Sequence, residues 1–248
     1  MSMGEPYLLE VSNITVSFDG FKAVDDLSFV VDKNEIRAVI GPNGAGKTTL
    51  LDLISGKTQP SDGAVKFKGN DITGFKEYEI VDKGVGRKFQ TPSVYEELTV
   101  FENLEMAYPS SRGWLATWRF VRTKAVTERV HEIAELIYLS DHLDDRAENL
   151  SHGQKQWLEI GSLLMQNPEL MMLDEPVAGM SVQERERTAE LLNTLCNGRS
   201  VIVVEHDMQF VKRIAHKVTV LHQGKLLAEG KMEAVQSDPK VIEVYLGH

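Results

Sequence analysis

Cysteine is almost absent from this chain. The single thiol, Cys196, cannot close an internal disulfide, which argues against a disulfide-stapled secreted scaffold and for a reducing compartment. Long apolar runs are missing as well: none approaches the roughly 18 residues that a membrane-spanning helix needs. The first residues, Met1-Ser2-Met3-Gly4-Glu5-Pro6, lack the basic and apolar regions of a secretory signal. Basic residues are in deficit, 27 Lys and Arg against 37 Asp and Glu, for a net charge of −10. That balance argues against a broad basic face, so no nucleic-acid partner is expected. The expectation is a soluble cytoplasmic protein, able to dock onto a membrane protein. Its 248 residues suffice for one large domain, or for a core carrying a subdomain.

What is present starts with Gly41-Pro42-Asn43-Gly44-Ala45-Gly46-Lys47-Thr48-Thr49, which fits the phosphate-loop pattern G-x-x-x-x-G-K-[ST]. The run Ile36–Ile40 before it reads as a buried strand. Leu50, Leu51 and Ile54 behind it recur at helical spacing over Thr49–Ser55, with Gly56 as a C-cap. This is the strand–loop–helix setting the motif requires. The glycines let backbone N–H groups converge on phosphate oxygens, and the helix adds its positive end. Lys47 is placed to reach the β- and γ-phosphates and the Thr48 hydroxyl to bind Mg²⁺.

Around this centre the chain alternates strand and helix signals. Leu8–Phe18 and Leu27–Val31 read as strands about an Asp19-Gly20 turn, and Val65-Lys66-Phe67 as a strand between the turns at Pro60–Gly63 and Gly69-Asn70. Phe18 reads equally as an adenine-stacking face and as a core aromatic. Gly84–Pro92 reads as a short strand running into a loop that carries Gln90, a ligand for Mg²⁺ or water in one reading and a solvated side chain in the other. Helical patterns follow from Thr99, and again from Lys124 through Val126, Val130, Ile133 and Ile137. Arg112, Arg119, Arg122, Lys124 and Arg129 make this region locally basic; it is read as a solvated helix face, or as a surface that meets a partner or lipid headgroups.

Ser151 caps a helix from about Gly153 to Met165, and a Ser and Gly at a helix start can form an anion site. Leu170–Asp174 reads as a buried strand ending in two carboxylates, Asp174 and Glu175. Buried acids without a cationic sequence neighbour call for a metal or hydrogen-bond donors. Ser200–Val204 is a further apolar strand, ending Glu205-His206-Asp207. Lys217–Leu221 and Lys225–Ala228 form a hairpin about Gln223-Gly224, and Pro239–Leu246 a last helix behind Asp238.

Taken in order, these motifs resemble the ATP-binding subunit of an ABC transporter along essentially the whole chain. Gly41–Thr48 resembles the Walker A motif and Leu170–Asp174 Walker B. Glu175 stands at the catalytic glutamate, Gln90 at the Q-loop, His206 at the switch histidine and Phe18 at the aromatic A-loop position. Leu150-Ser151-His152-Gly153-Gln154 resembles the signature Leu-Ser-Gly-Gly-Gln, with His152 replacing the first glycine. Ala178-Gly179-Met180-Ser181 stands at the D-loop, where Ser181 replaces the usual aspartate and leaves that loop's contacts between subunits open.

The resemblance implies an α/β P-loop NTPase fold: a RecA-like core, an antiparallel β subdomain and an inserted α-helical subdomain at 91–166, within one ABC ATPase domain, 1–248. It implies ATP as substrate, and Mg²⁺ held by Thr48, Gln90 and Asp174. It also implies head-to-tail pairing with a second ATPase subunit, identical or related, in which Ser151, His152, Gly153 and Gln154 meet the opposing subunit's ATP. The other partners are transmembrane permease subunits and, indirectly, a solute-binding protein. Tyr95, Leu98 and Phe101 fall in the permease-facing region, and the place of work is the cytoplasmic face of the inner membrane. The stretches Leu150–Gly161 and Pro176–Met180 most resemble ATPases of urea importers, which puts urea or a short amide first and branched-chain amino acids second.

Rival readings are weaker. A GTPase carries an Asn-Lys-x-Asp base-reading motif, which this sequence lacks, and nothing resembles a kinase lid. Ribosome-acting relatives resemble two fused ATPase domains, whereas this chain has one. Chromosome-acting relatives place a long coiled coil where only about sixty residues separate Gln90 from Ser151. A regulatory nucleotide-binding module without turnover remains; the presence of both Glu175 and His206 argues against it.

Overall fold

The run Ile36–Ile40, apolar but for Arg37, forms a strand whose five residues are all buried. In the computed structural model, which describes residues 7–88, 94–109 and 123–246, it is central to the first of two units. That unit takes in 1–87, 169–176 and 192–248, and the second takes in 88–168 and 177–191.

In the first unit, β1 (Leu9–Phe18) and β2 (Phe21–Val31) pair antiparallel, with Leu9 opposite Val31 and Phe18 opposite Phe21. Asp19 and Gly20 both take positive φ, 49° and 87°, as a tight two-residue hairpin turn requires. Strand β3 is Ile36–Ile40. Strand β4 (Asp62–Phe67) pairs with the other side of β1 and already includes Asp62 and Gly63, assigned above to a turn; β5 (Asn70–Asp71) closes that sheet. The second sheet adds β6 (Val85–Arg87), β7 (Leu170–Asp174), β8 (Ser200–Val204), β9 (Lys217–His222) and β10 (Lys225–Gly230) in the order β10-β9-β3-β8-β7-β6. Strands β9, β3, β8, β7 and β6 are parallel, and only β10 runs against its neighbour.

Alternate residues of β3 serve two cores. Val39 packs with Leu50, Leu51 and Ile54 of α1 (Lys47–Ile54) and with the inner face of the antiparallel sheet. Ala38 and Ile40 pack with Val211, Met232, Val235 and Val241, from α7 (Met208–Ile214), α8 (Met232–Gln236) and α9 (Pro239–Leu246). Of these, α7 and α8, like α2 (Glu77–Asp82), carry too few periodic positions to stand out in the sequence. Helix α1 begins at Lys47, two residues before its expected start. Its N-cap is Gly46, left-handed at φ 98°, whose carbonyl accepts the Leu50 N–H at 2.8 Å.

One member of β3 is not apolar. Arg37 is fully buried. Its Nε reaches Glu35 at 2.6 Å, its Nη1 reaches Glu229 at 2.6 Å and Thr219 at 3.0 Å, and its Nη2 donates to the Val30 carbonyl at 2.6 Å. A buried guanidinium persists only with such a set of acceptors.

The second unit holds α3 (Val100–Ala107), α4 (Lys124–Leu136), α5 (His152–Met165) and most of α6 (Val182–Leu195). Thr99 and Glu102 cap α3 reciprocally, at 2.8 and 3.1 Å. Arg112, Arg119 and Arg122 lie outside the described residues. Lys124 and Arg129 pair with Glu128 and Glu132, which favours the solvated-face reading for this part of α4. Among the described residues no helix is long and apolar enough to cross a membrane.

Candidate functional site

The parallel register decides what meets at the sheet's C-terminal edge. Asp174, the last residue of β7, lies level with Val204 of β8, and Val204 with Val39 of β3. The loop after β3, the carboxylates after β7 and Glu205-His206 after β8 therefore emerge side by side, where ligands of α/β sheets bind.

The phosphate loop, from Gly41 to Lys47, is wound on itself. Ala45 N–H donates to the Pro42 carbonyl at 3.2 Å, and Gly224 N–H to the Ala45 carbonyl at 3.0 Å. Strand β2 runs close by: a methyl group built on Gly46 would stand 2.5 Å from the Ala23 carbonyl oxygen, so only glycine fits. Lys47 Nζ donates to the Gly41 and Pro42 carbonyls at 2.8 and 3.0 Å. Burial lowers the Lys47 pKa, while Glu175 and Asp174 pull it upward.

Asp174 is 4% exposed, and its pKa is raised by desolvation against the opposing effects of the Thr48 hydrogen bond and the Arg87 charge. Thr48 Oγ1 donates to Asp174 Oδ2 at 3.1 Å. Asp174 Oδ1 is buried and has no hydrogen-bond partner among the described residues. An orphaned carboxylate oxygen beside a hydroxyl is a hard-oxygen donor pair of the kind Mg²⁺ selects, with the remaining places left to phosphate and water. With only these two protein oxygens in place, Thr48 and Asp174 fit an ion that arrives with a phosphate.

The expectation that both acids are buried is corrected. Only Asp174 is buried; Glu175 leaves the strand at φ +48° with its side chain 39% exposed. Its backbone N–H still donates to the Val204 carbonyl at 2.9 Å, so the ladder holds the turn in place. Cations are supplied in space by Lys47 and by Arg87, whose guanidinium also bonds Asp52 at 2.5 Å and Ser55 at 3.0 Å on α1. His206 Nδ1 stands 3.7 Å from Glu175 Oε1, and buried Glu205 accepts the His206 N–H at 3.0 Å.

Gln90 lies outside the described residues. The residue at their edge, Lys88, is buried against Gln156 and lies 3.0 Å from Glu159 on α5. Phe18 is 50% exposed and Phe21 opposite it 67%, so the core-aromatic reading of Phe18 does not hold.

The signature residues and the D-loop residues both belong to the second unit. Ser151 N–H donates to Gln154 Oε1 at 2.8 Å, and Gln154 N–H to Ser151 Oγ at 3.2 Å, a capping box that starts α5 at His152. The Gln154 amide also meets His142 Nε2 at 3.1 Å, and His142 Nδ1 meets Asp145 at 2.7 Å. Ser181 caps α6: its N–H and its hydroxyl both donate to Glu184 Oε2 at 2.8 Å. These donors hold the Glu184 carboxyl below its usual range, the Ser181 backbone N–H foremost. Glu184 also accepts from Ser151 Oγ at 3.2 Å, and a methyl group on Gly153 would overlap its carboxylate. The sequence reading missed Glu184, although Ser181-x-x-Glu184 is a legible capping box. It missed His142 and Asp145 with no local signal to find them. Asn103 was missed too; it is buried and staples the preceding loop through Tyr95 N–H, the Tyr95 carbonyl and the Thr99 carbonyl, at 2.8, 3.0 and 2.9 Å.

Residues 24–178 match the ABC transporter family, and residues 225–248 match the branched-chain amino acid ATP-binding cassette transporter family. The chain is 37% identical over 254 residues to the probable branched-chain amino acid transport ATP-binding protein LivG of Archaeoglobus fulgidus, covering 97% of this chain and 95% of that one. It is 35% identical over 250 residues to the high-affinity branched-chain amino acid transport ATP-binding protein BraF of Pseudomonas aeruginosa, covering 97% and 98%. Among solved structures it is similar to an ATP-binding cassette of an ABC transporter in its ADP conformation, with a TM-score of 0.88, 33% identity and coverage of 98% and 100%. A nucleotide-free cassette from an ABC transporter gives 0.85, 32%, 98% and 100%.

Proposed function

From the premise that this chain belongs to the ABC transporter family, as an ATP-binding subunit of the branched-chain amino acid type, we propose that it powers uptake of branched-chain amino acids by hydrolysing ATP at the edge of β3, β7 and β8. The observation that carries the chemistry is the meeting of Lys47, Thr48, Asp174, Glu175 and His206 at the ends of parallel neighbours.

Lys47 and the amides of Gly41–Thr49 bind the phosphates, and Phe18 offers the adenine a face. Thr48 and Asp174, with Gln90, hold Mg²⁺, which when bound neutralises charge on the phosphate oxygens. Glu175 accepts a proton from the attacking water as its oxygen bonds to the γ-phosphorus and the bond to the ADP oxygen breaks. His206 steadies the γ-phosphate. None of this is covalent catalysis by the protein; the side chains position and neutralise.

ABC ATPases work as dimers with transmembrane permease subunits, and membrane association follows from those partners. For this chain we assign Ser151, His152, Gly153 and Gln154 to the ATP of the opposing subunit, with the D-loop residues 178–181 alongside. Tyr95 and Leu98, on the loop stapled by Asn103, and Phe101, in the first turn of α3, belong to the permease contact, and the helical segment 91–166 to its support. In Ser151→Arg, ATP-induced dimerisation is expected to weaken at least tenfold, about 1.4 kcal/mol, while the Lys47 side binds nucleotide normally. Analytical ultracentrifugation with and without ATP measures both states, and dimerisation that survives the change removes the head-to-tail assignment.

The solute is selected by the permease and an external binding protein. Kinship therefore carries this part of the reading. The relatives named above support branched-chain amino acids, which we place ahead of the urea reading ranked first by sequence. The second reading, urea or a short amide, keeps the support of the stretches Leu150–Gly161 and Pro176–Met180. Deleting the gene is expected to abolish high-affinity leucine uptake. Labelled-solute uptake in the deletion strain decides it: loss of urea uptake with leucine uptake intact replaces the first reading by the second. Steady-state hydrolysis on adding permease subunits separates both from a regulatory module without turnover.

A further inference from the structure

The departures from the family pattern at His152 and in residues 178–181 meet each other. His152 Nε2 lies 3.0 Å from the Ala178 carbonyl oxygen. A carbonyl oxygen only accepts, so Nε2 carries the proton in this bond. The next residue, Gly179, has φ +72°, and a methyl group built there would stand 3.1 and 3.2 Å from the His152 ring. A bare Gly179 thus gives the ring its place. Glu184 forms a second connection, with Oε1 accepting from the Ser151 hydroxyl and Oε2 from the Ser181 hydroxyl and N–H. Ser151 and Ser181 are the caps of α5 and α6, so one carboxylate sits at the positive ends of two helices.

We propose that His152 is a positioning residue for the D-loop: its Nε2–H bond to the Ala178 carbonyl, beside the Ser151–Glu184–Ser181 bridge, ties the signature turn and residues 178–181 into one block within a subunit. A glycine at 152 has no side chain to make this bond. The consequence for turnover rests on the two-subunit reading above: both segments then approach the opposing ATP together, and hydrolysis is lost when either drifts.

The test uses the full chain. His152→Phe keeps a ring and removes the donor; His152→Gln keeps a donor at similar reach. In the isolated chain, amide hydrogen exchange at Met180 and Ser181 is expected to rise about fivefold in His152→Phe, the size of one lost hydrogen bond, and to stay within about twofold of wild type in His152→Gln. In the chain assembled with permease, His152→Phe is expected to lower kcat for ATP severalfold, and His152→Gln to recover part of that loss. Exchange in His152→Phe equal to wild type, or His152→Gln exchanging as fast as His152→Phe, overturns the tie. A thermal melt of each variant shows whether the fold is retained, and global loss of structure in His152→Phe assigns His152 to stability instead of positioning. If exchange behaves as expected but wild-type chains do not dimerise with ATP, the tie stands and the two-subunit reading falls.

Discussion

Glu175→Gln is expected to bind ATP as the wild type does and to hydrolyse it roughly a thousandfold more slowly, within the range by which a positioned general base accelerates a reaction. The amide matches the carboxylate in size, so the left-handed turn at φ +48° and the Glu175 N–H bond to Val204 remain. What disappears is the proton acceptor and one of the two carboxylate charges facing Lys47. Binding depends on the loop amides, Lys47 and Thr48, which the change leaves in place. Single-turnover hydrolysis with radiolabelled ATP, beside an equilibrium binding measurement, separates these effects. Wild-type turnover in Glu175→Gln would remove Glu175 from the role of base and leave water activation to the phosphates themselves. Weakened binding with normal turnover of the bound fraction would make the residue a ligand instead.

The second large effect concerns stability. Arg37→Met is expected to destabilise the protein by about 3–5 kcal/mol, the cost of leaving a buried charge without its partner. Glu35 is 5% exposed and would lose its only cation among the ion pairs described; Glu229 is 29% exposed and can turn to water. At a few degrees per kcal/mol, the melting temperature should fall by roughly 10 °C in a chain of this size. Adding Glu35→Gln removes the stranded charge, so the double variant should recover part of the loss even though it has fewer native contacts. A double variant less stable than Arg37→Met would mean that Glu35 contributes through its bond to the Asp32 N–H at 2.7 Å. Denaturant unfolding of the three proteins measures this directly.

The two predictions draw on different kinds of information. Glu175 was legible because it follows an apolar strand and an aspartate. Arg37 was legible only as an exception inside a strand, and nothing nearby in sequence names Glu229, which lies 192 residues further on. The D-loop serine is intermediate. Its capping partner Glu184 is three residues away and readable, but the second bond of that carboxylate, to Ser151, spans 33 residues. The buried lysine at 88 carries no mark in the sequence either, since its partners Gln156 and Glu159 are on a helix 68 and more residues away.

By itself the sequence determined the pieces whose hydrogen bonds close within a few residues: the strand–loop–helix about Gly41–Thr49, the capped starts of α3 and α5, the hairpin turns at Asp19-Gly20 and Gln223-Gly224. Those bonds form wherever the local residues allow them, so residue type and spacing suffice to read them. Tertiary structure alone decided that one oxygen of the buried Asp174 accepts from Thr48, 126 residues away, while the other has no hydrogen-bond partner among the described residues, and that Glu175 turns outward. It also decided that Arg37 has acceptors, and that His152 meets Ala178. Each of these depends on the register of parallel strands or on the packing of helices joined by long connections. Burial and long-range partners, which set the charge state of a carboxylate and the reach of a histidine, exist only once those elements have docked.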